Sequence, residues 1–346
     1  MFSQSAKSHA FFWYSGLSCA LLLLAGFSLG IGRYPVPLGT VFDILSGYVF
    51  PGPHHWTDVE SMVVLQLRLP RVLAAVIVGM ALAMAGATLQ GVFRNPLVDS
   101  HIIGITGGAS FGGVLALFLG LPVAGVVTGS FGAGMLATVI VFTLSRAGGF
   151  GSLMALVLSG LIVGAFFSAL VSLIVFLSDP DMQLPGIVYW LMGSFARVDY
   201  PKLIMLAVPT FVAGLLLYRM RWRINILSLG DSDAAALGVN VVRTRWTMLA
   251  LVSLMVGAQV SVSGGIGWIG LVVPHLARML TGPDHKTLLP TSALLGGVFT
   301  LVVDNLARTL TQQELPVGLL SALIGTPVFA YLYWRRQSGW HGGGTP

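Results

Sequence analysis

Charge is what this chain has least of. Its 346 residues include 18 lysines and arginines and 12 aspartates and glutamates, 9% of the sequence, where soluble domains carry about 25%. With 55% hydrophobic residues and a mean hydropathy of +0.88, the shortage excludes a soluble protein. It points to a single polytopic membrane domain instead of the roughly two or three soluble domains that length alone suggests. Cysteine is nearly absent too. Cys19 stands alone, which excludes an internal disulfide and a cysteine-based metal cluster and leaves it as a small apolar residue in the first span.

Several chemistries lack their residues. The sequence contains no G-x-x-x-x-G-K-[ST] and no Gly-Lys pair, so it cannot hydrolyse ATP through a P-loop of its own. There is no H-E-x-x-H, Ser261 and His275 have no third partner for hydrolysis, and no histidine pairs are spaced along helices as haem ligands. Catalytic and metal-ligating residues are therefore expected to be absent. No Asp or Glu falls inside any predicted span, which argues against an ion-driven transporter, whose relays are intramembrane ionisable groups. The net charge of +6 and pI near 9.8 would suggest nucleic acid in a soluble protein. Here the basic residues sit in short connections, where they orient the chain.

What is there is apolar length. Because about 20 helical residues cross a bilayer core of ~30 Å, the charge-free intervals predict ten spans. They are residues 10–32, 72–93, two within 102–144 broken at "GLPVAG", 152–177, 203–218, two within 246–277 broken at "SGGIGWIG", 288–303 and 317–334. The first is too long for a signal-peptide core and lacks an A-x-A site, so it is kept as a helix. Residues 1–9 and 337–346 then form tails, and residues 219–245 the one sizeable polar connection.

Ten crossings put both termini on one side. With the termini inside, twelve basic residues face inward (Lys7, Arg94, Arg146, Arg219, Arg221, Arg223, Arg243, Arg245, Arg278, Lys286, Arg335, Arg336) against six outward (Arg33, Arg68, Arg71, Arg197, Lys202, Arg308). The positive-inside rule supports cytoplasmic termini. "RLPR", with Arg68 and Arg71, consequently faces outward, against the bias. One reading is that the pair anchors its helix by snorkelling.

"GIGWIG" matches a dinucleotide fingerprint but follows no strand and lies in an apolar segment; it reads as a backbone break or as tight packing between helices seven and eight. Gly108/Gly112, Gly125/Gly129 and Gly160/Gly164 fit small-xxx-small packing within the chain, with a dimer face as the alternative. In the polar connection, "GDSDAAALG" carries helix punctuation. Asp231 or Ser232 can cap the N-terminus, Asp233 suits the first-turn dipole and Gly238 the left-handed C′ position. Such a helix can lie on anionic headgroups or dock a cytoplasmic subunit; residue chemistry leaves both open.

Five stretches carry a resemblance in order: "RLPRVLAAVIVGMALAMAGATLQGVFRNPLVDSHIIGITGGASFGG", "YWLMGSFARVD", "LGDSDAAALGVNVVRTR", "GGIGWIGLVVPHLARMLTGPDHKTLLP" and "DNLARTLTQQELPVGLLSALIGTPVF". Together, over residues 66–329, the chain resembles the FecCD-type permease subunits of bacterial type II ATP-binding-cassette importers for iron–siderophore complexes, haem and cobalamin. Ser100 and His101 depart from the family's usual residues. The resemblance implies an all-α, ten-helix homodimer in the bacterial inner membrane, importing a ferric siderophore by alternating access. Haem, cobalamin or an oxyanion such as molybdate are alternative cargoes. It implies no cofactor in this chain, ATP and Mg being held by two ATPase subunits beneath, and a periplasmic binding protein above. By the same resemblance, Arg68, Arg71 and Arg308 grip carboxylates of the binding protein, and Asp231, Ala235, Leu237 and Gly238 within residues 230–243 couple to the ATPase. Thr88, Gln90, Gly104, Gly107 and Gly108 are candidates for lining the pathway.

Overall fold

The computed structural model describes residues 2–49, 55–147 and 153–341; residues 1, 152 and 342–346 of the expected tails and fifth span lie outside them. Among the described residues every regular element is helical. In chain order these are α1 (Phe2–Gly30), α2 (Leu38–Val49), α3 (Asp58–Met62), a π-helical turn (Val63–Arg68), α4 (Leu69–Phe93), α5 (Ile105–Phe118), α6 (Val123–Ala147) and α7 (Leu153–Leu177). They are followed by α8 (Leu184–Leu191), α9 (Tyr200–Leu229), α10 (Asp231–Ala236), α11 (Val241–Ser263), α12 (Ile269–Thr281), α13 (His285–Thr309) and α14 (Val317–His341).

A helix occupies every one of the intervals expected to cross: α1, α4, α5, α6, α7, α9, α11, α12, α13 and α14. Seven described rods are long and apolar enough to span a membrane by length and composition, α5 and α12 are shorter apolar helices, and Val317–Leu332 is the apolar part of α14. The chain is a multi-pass membrane protein. Its large outward-facing side chains are apolar, as on α7 and α9 with Met154, Phe176 and Phe211, which suits lipid or another apolar helix and not water.

Several rods outrun the sequence expectation. A capping box between Thr57 and Glu60 starts α3, and the chain continues through the π turn into α4 as one 36-residue rod. Arg68 and Arg71 therefore lie within a helix and not at its entrance. α9 continues to Leu229, well beyond residue 218. Counting charge ends a span at its first arginine, but backbone bonding does not; Arg221 folds back over the Tyr218 ring at 3.8 Å. α13 runs to Thr309 and so includes Asp304. α2, α3 and α8 were not anticipated.

α4 is the axis of the bundle, packed by α13, α9, α12 and α11, and these crossings need glycine. A Cβ at Gly79 would sit 2.1 Å from the Gly296 carbonyl oxygen, and one at Gly86 1.8 Å from that of Gly270. Gly270 of "GIGWIG" thus serves α4–α12 packing, whereas tight packing between helices seven and eight was expected. The expected break is present: Gly264 and Trp268 both have φ of 70°, ending α11 and starting α12. Gly108 and Gly112 meet Ala133 and Gly129 across α5–α6, and Gly160 meets the Ile102–Ile103 backbone, so these small residues pack within the chain.

Candidate functional site

α4 joins two polar assemblies, one at each end of a rise of about 37 Å at 1.5 Å per residue. At its start lies a buried charge cluster. Arg71 Nε and Nη2 donate to Asp304 Oδ1 at 3.0 and 2.9 Å, and its Nη1 donates to Glu314 Oε2 at 2.8 Å. Arg308 Nε lies 3.2 Å from Asp304 Oδ2, and Asp304 is fully buried. The i,i+4 spacing of "DNLAR" puts Asp304 and Arg308 on one face of α13. Fork-shaped guanidiniums are suited to holding a carboxylate from two sides.

Arg308 of this cluster and the neighbouring Arg68 also close α1. The last carbonyls of a helix have no partner inside it, and cations are favoured there. Arg68 Nη1 donates to Leu29 O at 2.7 Å, and its Nη2 donates to Tyr34 O. Arg308 donates to Ser28 O at 3.2 Å and to Ile31 O at 3.1 Å. The resemblance implies that these arginines grip carboxylates of a binding protein; in this structure they are engaged within the chain. Arg68, Arg71 and Arg308 are only 6%, 7% and 5% exposed, and their donors are directed at partners in their own chain. Asp304 and Glu314 were missed. The "DNLAR" spacing signalled Asp304, whereas no local pattern signalled Glu314, which reaches Arg71 from the turn after α13.

At the far end of α4, Arg94 takes a left-handed conformation with φ of 52°, and its Nη2 lies 3.8 Å from Asp231. Arg245, buried on α11, donates from Nη2 to both Asp231 oxygens at 2.9 and 3.0 Å. Asp231 therefore fastens α10 to α4 and α11. Neither Asp231 nor Ser232 is the N-cap; that position is Gly230, with no side-chain bond. Gly238 does adopt the left-handed turn, with φ of 77°, and Val239 N–H donates to Ala234 O at 3.0 Å. Ala234 is buried beneath α10, while Ala235, Leu237 and Gly238 are exposed, Leu237 by 58%.

The residues expected along the pathway pack inside this chain, with Gly107 half-buried. Thr88 is buried and donates to Met84 O of its own helix at 2.8 Å. Gln90 links α4 to α12, donating to Gly270 O at 3.2 Å and accepting from Arg278 Nη2 at 3.0 Å. Gly104 opens α5 in a left-handed conformation against Gly160, Gly107 lies near Gly164, and Gly108 abuts Ala137. In this geometry all five serve packing and not an open lining.

Comparison with known proteins fits this architecture. A model of the FecCD transport family matches residues 20–335. The chain belongs to that family. It is 44% identical over 326 residues to the molybdate import system permease protein MolB of Haemophilus influenzae, covering 94% of this chain and 96% of that protein. The hemin transport system permease protein HmuU of Yersinia pestis is 44% identical over 283 residues, 79% of this chain and 83% of its own. The cobalamin import permease BtuC of Halobacterium salinarum is 38% identical over 310 residues, 88% and 81%. A solved inward-facing metal-chelate type ABC transporter superposes with a TM-score of 0.84 at 43% identity, over 93% of this chain and 98% of that one. Like its FecCD relatives, the chain is a type II importer permease, a transport component and not an enzyme.

Proposed function

We propose that this FecCD permease forms a homodimer in the bacterial cytoplasmic membrane and passes cargo inward by alternating access. Two ATPase subunits holding ATP and Mg would engage the α10 end, and a binding protein would deliver cargo at the opposite end. The observation that carries the reading is α10: a six-residue helix, fastened through Asp231 to α4 and α11, presenting Ala235, Leu237 and Gly238 outward. A short helix fixed at its base and apolar at its tip can transmit a push from a subunit into two long helices. We assign binding-protein docking to the end carrying Arg68, Arg71 and Arg308, which hold the shape of that end by capping α1 and neutralising Asp304.

The cargo reading we favour is an oxyanion, supported by identity to a molybdate permease along nearly the whole chain. A ferric chelate is the second reading, favoured by relatives described as iron chelatin permeases and by the metal-chelate type structural neighbour. Reconstituted with its ATPase and binding protein, the permease takes up cargo only with ATP. Leu237→Asp, a change at an exposed tip, lowers uptake and stimulated ATP hydrolysis by about tenfold or more while the permease remains folded. Uptake without an ATPase subunit, or wild-type coupling in Leu237→Asp, overturns the reading.

A further inference from the structure

A cavity of about 320 Å³ lies under α8 at the end of the molecule that carries Arg68. Its walls include Tyr189 and Trp190 of α8, Ser194 and Arg197 of the turn that follows, Ser263 at the end of α11, and Leu117 of α5. The turn is tied down from three directions. Ser194 N–H donates to Ser263 O at 2.8 Å, and Val317 N–H donates to Gly193 O at 2.8 Å. Gly193 has φ of 73°, and a Cβ there would lie 2.4 Å from Gly265 O. Tyr200 Oη, three residues past Arg197, donates to Leu65 O of the π turn. The cavity is therefore a preformed shape and not a gap between independent loops.

Its chemistry favours an anion. Among the described residues Arg197 has no carboxylate within ion-pair distance, whereas its neighbours Asp199 and Lys202 pair with each other at 3.7 Å. The one uncompensated charge on the wall is thus a guanidinium, whose planar fork of donors suits an oxyanion. Beside it, Tyr189 Oη and Ser194 Oγ are 3.2 Å apart, and Ser194 Oγ already accepts from Ala196 N–H at 3.1 Å. Whichever hydroxyl of this pair donates to the other, the acceptor keeps its own proton for a ligand. A larger cavity, about 490 Å³ between α4, α9 and α13, is walled chiefly by side chains such as Met80, Met84, Phe211 and Leu215. It offers no cation.

We infer that the Tyr189–Ser194–Arg197 cavity is a binding site of this permease for a tetrahedral oxyanion. This rests on the oxyanion reading of the cargo and supplies its residues. At roughly 30 Å³ per water, the cavity has room for about ten waters' worth of ligand, enough for a tetrahedral oxyanion with part of its hydration shell. A bulky chelate would enter only by an anionic arm.

The test uses the full-length permease in lipid nanodiscs titrated with sodium molybdate, read by tryptophan fluorescence, because Trp190 lines the cavity. A saturable change is expected that vanishes in Trp190→Phe. In Arg197→Gln its midpoint shifts by about tenfold or more, the loss expected for a hydrogen bond to a charged group, and Arg197→Lys recovers most of it. No Trp190-dependent change at millimolar molybdate, or an unshifted midpoint in Arg197→Gln, overturns the site. ATP-driven uptake by the reconstituted complex separates the two ideas. Molybdate uptake without a Trp190 signal rejects the site and keeps the oxyanion reading. A Trp190 signal with a ferric chelate and none with molybdate rejects the oxyanion class in both.

Discussion

Asp304 is the residue on which one end of the protein turns. A fully buried carboxylate is costly unless its charge is met and its oxygens are hydrogen-bonded, and here Arg71 and Arg308 meet it from two helices. Removing it would leave two buried guanidiniums facing each other. Asp304→Ala is expected to cost about 3–5 kcal/mol, the range for breaking a buried pair by deleting one partner, seen as a lower melting temperature and yield in detergent. Glu314 is partly exposed and binds Arg71 alone, so Glu314→Gln should cost about 1 kcal/mol or less. A variant at Asp304 as stable as wild type would show that the cluster is not structural. The same geometry changes the meaning of charge reversal. Arg71→Glu sets a third carboxylate beside Asp304 and Glu314, so loss of uptake in that variant should accompany loss of folded protein. "DNLAR" made the Asp304–Arg308 relation legible in sequence. Arg71, 233 positions away from Asp304, became its partner only through the α4–α13 crossing, which no local pattern encodes.

At the scale of the helix, the bundle depends on places where backbones touch. Gly86→Ala would drive a methyl group into the Gly270 carbonyl at 1.8 Å, whereas nothing lies within 4 Å of a Cβ at Gly132 on α6. Overpacking costs about 1–3 kcal/mol or more, and alanine in an open helical site gains up to about 1 kcal/mol over glycine. Gly86→Ala should therefore lower the melting temperature in detergent, and Gly132→Ala should leave it unchanged or raise it. Equal behaviour of the two would refute the close α4–α12 approach. Helix existence was readable because apolar length is a property of contiguous residues: each interval expected to cross holds a helix, and the "SGGIGWIG" break falls where glycines predicted it. Helix ends were not, since charge marks where solvation begins and not where hydrogen bonding stops. Hence α9 runs on through "RMRWR", and α13 passes Asp304 once its partners neutralise it. α8 escaped notice because, at eight residues, it is too short to register as a crossing.

Over the whole molecule, the direction of transport depends on which end faces which compartment. α4 places the Arg94–Asp231–Arg245 assembly at one end and the Asp304 cluster at the other. We propose that the α10 end faces the cytoplasm, because the expected twelve-to-six distribution of basic residues then obeys the positive-inside rule. That is also the only orientation in which an ATPase could reach Leu237 and a periplasmic binding protein could reach Arg197. Cys19 is the single thiol, so Cys19→Ser provides a silent background for labelling. In it, Ala235→Cys and Asp181→Cys, both at exposed positions, report opposite ends. In intact cells a membrane-impermeant maleimide should modify position 181 directly and position 235 only after the membrane is opened. The reverse pattern would exchange the two ends and remove the ATPase from α10. Labelling of both positions from outside would mean an even number of traverses between them, whereas α9 is the one membrane-length helix described between residues 181 and 235 and sets them on opposite faces.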